Sequence, residues 1–267
     1  MFTETAAILQ DIWAHRFALR NLVMKDFRIR YRNMSLGVLW SVLNPLIMLG
    51  ILVLVFTFIY PQRSQTYFPI STLLGLVSYN LFTLCIPAAT SSVVDNAPLV
   101  KKVIFPRQIL PLSVVLSQSI QILVQLILVA LFLLIFRVPL TWKMLLAPGV
   151  ILTLLLFVIG AGLLCAAFNV VFRDTRYIVE SLLTVLFWLS PVFYSLPTVH
   201  DSFPRWLFGL FLLNPLAGCI DALRRLILQN IYPDSLSFGI AVVVSLTTFF
   251  VGFVVFNRMQ RRFADLV

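Results

Sequence analysis

The sequence is poor in charge. Of 267 residues only 11% are Asp, Glu, Lys or Arg, whereas 61% are hydrophobic and the mean hydropathy is +1.01. A soluble domain of this length cannot cover its surface with so few charges, so the composition excludes a water-soluble protein and implies an integral membrane protein. Histidine and cysteine are also scarce. His15 and His200 fall on opposite sides of the membrane in the topology derived below and cannot share a metal. Cys85, Cys165 and Cys219 are odd in number, lie inside apolar runs and show no CxxC spacing, which reads as small hydrophobes rather than a disulfide or metal framework. No GxxxxGK[ST] occurs, so neither a phosphate-cradling loop nor an intrinsic ATPase is expected. Paired carboxylates at mid-membrane depth are missing as well: only Asp174 and Glu180 approach a span, both at its end. That argues against a proton- or sodium-coupled carrier. A transporter with neither device must draw energy from a partner, the other choices being a facilitator or a pore. No short apolar core with a small-residue cleavage site opens the chain, so no removable signal is expected.

What the sequence does have is uncharged runs, at 33–62, 64–94, 108–136, 144–172, 181–199, 206–220 and 235–257. A spanning helix needs about 20 apolar residues to cross about 30 Å of hydrocarbon. Six runs are long enough, and 206–220 is not. Placing the N-terminus in the cytoplasm with six spans puts 14 basic residues inside and 6 outside, the bias that insertion favours. Seven spans give 13 against 7, so charge hardly separates the two. Length and Asn214-Pro215 do: proline interrupts the fifteen-residue run, and a pair of half-helices that enters from the outer face and returns fits it better. Asp221, followed by Arg224 and Arg225, suits the charged shoulder of the returning half. The expected fold is an all-α membrane protein: a cytoplasmic segment 1–36, spans near 37–60, 68–93, 110–136, 146–171, 178–197 and 235–257, re-entrant helices near 203–230, and a cytoplasmic tail 258–267.

Within 1–36, aromatic residues including Trp13, Phe17, Phe27 and Tyr31 interleave with arginines. This pattern predicts a helix along the cytoplasmic interface, rings at headgroup depth and arginines reaching phosphates, although the basic positions do not gather on one face. A plain topology anchor is the alternative. The stretch DNAPLVKKVIFPR at 95–107 is a short basic and apolar cytoplasmic loop stiffened by Pro98 and Pro106.

The stretches YRNMSLGVLWSVLNPL (31–46), NAPLVKKVIFPRQILP (96–111), FRDTRYIVESLL (172–183), WLSPVFYS (188–195) and LNPLAGCIDALR (213–224) resemble the membrane subunits of ABC-2 type polysaccharide exporters, the O-antigen, capsule and teichoic-acid permeases. The resemblance runs over nearly the whole chain. It implies a homodimer in the bacterial inner membrane that exports a lipid-linked polysaccharide, with two copies of a separate cytoplasmic ATPase holding the ATP and Mg. No cofactor in this chain and no nucleic-acid partner are expected. It also implies a coupling helix in the ATPase cleft, here 95–107, and a second contact at 173–177. An N-terminal interface helix at 12–32 and outer gate helices at 203–230 complete what the resemblance implies.

Several residues are assigned to these roles. The coupling contact takes Asn96, Leu99, Lys101, Lys102, Ile104, Phe105 and Arg107, with Leu99, Val103, Ile104 and Phe105 as an apolar knob and the basic residues as a rim, plus Arg173, Asp174 and Arg176. Without the resemblance, the same basic residues simply obey the positive-inside rule. Arg176 is spaced to pair with Glu180 at i+4. Arg28, Arg30, Tyr31 and Arg32 are candidates for receiving the lipid pyrophosphate, the competing ligand being ordinary anionic lipid. Trp40, Asn44, Tyr60, Tyr79, Asn80, Phe82, Trp188 and Tyr194 are candidates for lining the polysaccharide path, and an interfacial aromatic belt is the other explanation for most of them. Trp206, Asn214, Pro215, Asp221 and Arg224 are assigned to the outer gate. An ABC-2 exporter of a drug or small lipid and a membrane scaffold without transport are the alternative functions.

Overall fold

The computed structural model describes residues 14–32, 34–59, 67–103 and 105–266. Among them every regular element is helical. In order these are α1 Arg16–Tyr31, α2 Trp40–Leu54, α3 Phe68–Asp95, α4 Ala97–Lys102, α5 Ile109–Ile135, α6 Ala147–Val171, α7 Thr175–Trp188, α8 Leu196–Ser202, α9 Arg205–Leu212, α10 Pro215–Arg224, α11 Ser235–Met259 and α12 Phe263–Leu266. With their flanking turns, Gly37–Ile59, Phe68–Asp95, Ile109–Ile135, Trp142–Val171 and Ser235–Arg262 are long and apolar enough to cross a membrane. The chain is a multi-pass membrane protein.

The expected fifth span, 178–197, is not one helix: α7 ends at Trp188, and α8 begins only at Leu196. At 1.5 Å per residue the 14 residues of α7 cover about 21 Å, short of the hydrocarbon thickness. Ser190-Pro191 stops it, because a residue before proline avoids the helical region and proline lacks the N–H. Residues 189–195 then continue as irregular backbone, which apolar surroundings tolerate only where protein covers it. Here it is covered: Ser190, Pro191, Val192 and Phe193 are buried.

Helix α3 is the hub, packing against α5, α6 and α7, while α11 lies along α6 and α1 lies against α5. The hub carries buried polar residues that would be costly without partners. Ser78, Thr90 and Ser92 each donate to a carbonyl of their own helix, at Leu74, Ile86 and Ala89. Close helix approach rests on glycine where α6 crosses α11: a methyl group on Gly252 would collide with the carbonyl of Gly160, and one on Gly160 with the backbone of Phe249. Small residues at such crossings let backbones touch where lipid supplies no hydrophobic drive for association.

At one end of the bundle three chain segments meet. Phe105 and Leu22 pack against a buried group that includes Val100, Phe253, Phe256 and Phe263. The N-terminal helix, the 96–107 loop and the end of the last span therefore share one end, which requires an even number of crossings between them.

Candidate functional site

The 96–107 loop is held from both sides. Asn96 donates to Ser92 carbonyl at 2.8 Å and accepts from Lys25 of α1 at 3.0 Å. Arg107 donates to the carbonyl of Gln260, and Gln108 to the side-chain oxygen of Asn257. Lys101, Lys102 and Val103 are exposed at the tip. The expected knob needs correction here: Phe105 is turned into the bundle with Val100 and seats the loop rather than protruding from it, and Leu99 is only half exposed. Among the described residues of the expected knob, Val103 is the one that protrudes, 50% exposed. Arg173 and Asp174 are exposed in the turn between α6 and α7, and Arg176 bonds Glu180 at 3.0 Å. Trp13, Tyr60 and Ile104 lie outside the described residues.

On α1, Arg28 and Arg32 are exposed, whereas Arg30 donates to Gln121 of α5 at 3.2 Å and the hydroxyls of Tyr31 and Ser41 lie 2.8 Å apart. Two of the four pyrophosphate candidates, Arg30 and Tyr31, are thus engaged within the chain. Burial pushes the Asp26 carboxyl above its ordinary range, with Lys25 and Arg30 opposing. The Tyr31–Ser41 pair continues inward: Gln125 donates to Ser41 carbonyl at 3.2 Å and accepts from Asn80 at 3.2 Å. Ser41, Gln121 and Gln125 had not been singled out in the sequence; an isolated glutamine in an apolar run was the available signal.

Of the expected path residues, Tyr79, Trp188 and Tyr194 converge on one aromatic cluster around the irregular segment. Tyr79 donates to Leu183 carbonyl at 2.6 Å, with its ring on Phe187 at 4.9 Å. Phe193, at the centre, stacks on Phe56 at 4.9 Å and meets Trp188 and Tyr194. The outer surface of the cluster is Trp188, 64% exposed. Trp40 and Asn44 are exposed on α2. Phe82 is a correction: it is 1% exposed and stacked on Phe157, inside the core and out of reach of a passing ligand. Asn80 is half buried and committed to Gln125.

The chain bends by 84° between Arg205–Leu212 and Pro215–Gln229. Asn214 makes the bend, its oxygen capping the N–H of Leu216 at 3.1 Å while its amide reaches Ser190 at 2.8 Å. Pro215 opens α10 where no N–H is needed. Trp206 is exposed on α9. The charged-shoulder reading of Arg224 is corrected: it is 5% exposed, and Asp221 pairs with Arg225 instead, at 2.6 Å. Arg224 donates to Ser71 carbonyl at 3.2 Å, Val192 carbonyl at 2.7 Å and Tyr194 carbonyl at 2.7 Å. The forked guanidinium ties α10 to the irregular segment and to the first turn of α3, a geometry only arginine supplies.

The sequence pattern of the family described as ABC-2 type transporter matches residues 18–228. This chain belongs to that family. Among ABC-2 relatives, the O-antigen export system permease protein RfbA of Myxococcus xanthus is 30% identical over 260 residues, covering 97% of this chain and 99% of the relative. A protein of the same name from Klebsiella pneumoniae is 26% identical, covering 91% and 92%. The polysialic acid transport protein KpsM of Escherichia coli is 23% identical, covering 90% and 92%.

Proposed function

We infer that the chain is the permease subunit of an ABC exporter that carries a lipid-linked polysaccharide of O-antigen or capsule type across the bacterial inner membrane. It works as one of two copies, driven by two copies of a separate cytoplasmic ATPase that holds the ATP and Mg. The observation that carries this reading is the exposed tip Lys101-Lys102-Val103 on a loop clamped to α1 and to the end of α11. A clamped protrusion transmits a push; a loose one absorbs it. The two lysines steer and orient the ATPase, and Val103 supplies the buried anchor. Arg173, Asp174 and Arg176 make the smaller contact. Both chain ends described face the cytoplasm, with the tip.

Arg28 and Arg32, exposed beside the first span, receive the pyrophosphate of the lipid carrier from the inner leaflet. Trp40, Asn44, Trp188 and Tyr194 face the polymer, the aromatic faces stacking on sugar rings while amides exchange hydrogen bonds. The α9–α10 hairpin, with Trp206 on its exposed face, covers the outer mouth. A polymer longer than the membrane is thick cannot be enclosed by alternating access, so repeated pushes move a sliding chain.

Copurification with the ATPase of the same organism tests this. The double variant Lys101→Glu/Lys102→Glu is expected to lose ATPase binding and polysaccharide export while its thermal stability is unchanged. Retained binding and export would remove the coupling role, labelling of Val103→Cys from outside the cell would invert the topology, and export of small amphiphiles in place of polysaccharide would replace the substrate.

A further inference from the structure

Beside the re-entrant hairpin, at the end of the bundle away from the lysine tip, lies a cavity of about 400 Å³. That volume falls within the roughly 300–1,000 Å³ of small-molecule sites, which are usually lined by apolar side chains. This one is lined chiefly by Ser195, Thr198, Asp201, Asp221, Arg225 and Gln229, with Pro197 and Leu228 as its apolar members. Its walls come from three places in the chain: the start of α8, the returning half of the hairpin, and the first turn of α3 at Ser71. Arg224, which also lines it, is buried and binds the carbonyls of Ser71, Val192 and Tyr194, so the walls are fixed relative to one another.

The chemistry of the lining selects a ligand class. Two carboxylates and two guanidiniums leave no net charge to hold an anion, and Asp221 and Arg225 already neutralise each other at 2.6 Å. Two apolar residues are too few for an acyl chain. Hydroxyls, an amide and a carboxylate–guanidinium pair side by side offer donors and acceptors in alternation, which matches a ligand whose every group both donates and accepts. The lining is lightly committed: the Ser195 and Thr198 hydroxyls bond mainly each other, at 2.7 Å, while Gln229 is exposed and Asp201, 3.2 Å from His200, is exposed as well.

We propose that this cavity is a binding site for an uncharged sugar unit of the exported polysaccharide, held behind the hairpin as the chain emerges. The proposal rests on the reading of the chain as a polysaccharide exporter. Occupancy bridges α8 and the returning half of the hairpin, so the emerging sugar is sensed by the element that covers the mouth.

The test uses the full-length chain with its ATPase in lipid nanodiscs, and as probe the organism's surface polysaccharide freed of its lipid by mild acid. Binding is compared among wild type, the cavity-filling variants Thr198→Trp and Gln229→Trp, and the milder Gln229→Ala. Loss of about tenfold or more in affinity is expected for the filled cavities, and a smaller loss for Gln229→Ala, which keeps the test alive should tryptophan impair folding. In cells, the filled variants are expected to reach the membrane at normal level yet deliver less polymer to the surface. Equal binding by wild type and all variants, no binding by wild type, or displacement of the probe by inorganic phosphate would each overturn the proposal while export by the wild type leaves the exporter reading standing. Failure of the wild type to export polymer at all would instead remove the exporter reading.

Discussion

Replacing Arg224 by methionine keeps an unbranched apolar stem and deletes the donors. Val192 and Tyr194 stand outside any helix, so their carbonyls have no ladder partner, and each stranded group costs about 1–3 kcal/mol. Ser71 lies within α3 and loses less. Two stranded carbonyls therefore amount to about 2–6 kcal/mol, in line with the roughly 3–5 kcal/mol lost when a buried charged network is broken. At roughly 2–4 °C per kcal/mol for a chain of comparable size, the apparent melting temperature should fall by roughly 4–24 °C. Arg224→Lys should recover only part of this, because a single ammonium cannot reach three carbonyls that a planar fork spans. Arg176→Met is the control, since its pair with Glu180 is exposed and such pairs contribute about 0.2–1 kcal/mol. Thermal unfolding in detergent gives the size of the effect, and hydrogen exchange gives its place: protection should drop across 189–199 and at the start of α3 before it drops elsewhere. An Arg224→Met protein that melts and exchanges like the wild type would refute the pinning role.

Gly252→Ala should destabilise by about 1–3 kcal/mol, because its methyl meets the carbonyl of Gly160 and the two helices must part; a thermal melt at or above wild type would show the crossing to be looser than described. Phe105→Ala should lower thermal stability, since the ring seats the loop on the Val100–Phe263 group, whereas Val103→Ala should leave it unchanged. Tyr79→Phe keeps the contact with Phe187 and loses only the bond to Leu183, a cost of about 0.5–1.5 kcal/mol that unfolding measurements can read. The backbone N–H of Ser237 holds the Asp234 carboxyl below its ordinary value of 3.8. A folded-state pKa below the unfolded one means the cap stabilises fully above pH 3.8 and fades as the pH falls through the lower folded value. Asp234→Ala should therefore cost about 0.5–2 kcal/mol near neutrality, with the difference from wild type shrinking in acid.

The helical, multi-span character of the chain was legible in its uncharged runs, and the bend between 205–212 and 215–229 in Asn214-Pro215. The early stop of α7 was also written in the sequence, at Ser190-Pro191, but a run judged by length and lack of charge hides a proline that ends a helix without ending the apolar stretch. Arg224 was not legible. Its neighbours at i−3 and i+1 suggest a solvated shoulder, and the groups that hold it are backbone carbonyls, which carry no residue-type signal and in one case come from Ser71, 153 positions away. Phe105 was misread for a related reason: in a short loop no periodicity states which apolar residues face outward, and only the meeting of α1 with the end of α11 turns it inward.

The three-way junction of α1, the 96–107 loop and the end of α11 has a mechanical corollary. Lys25, Asn96, Arg107 and Gln260 fasten these segments into a single footplate, so a blow landing on its toe is shared at once by the first helix, by the hub and by the closing span. In the exporter proposed above, such a footplate would pass a push on as the tilt of the whole rather than as the depth of any one helix.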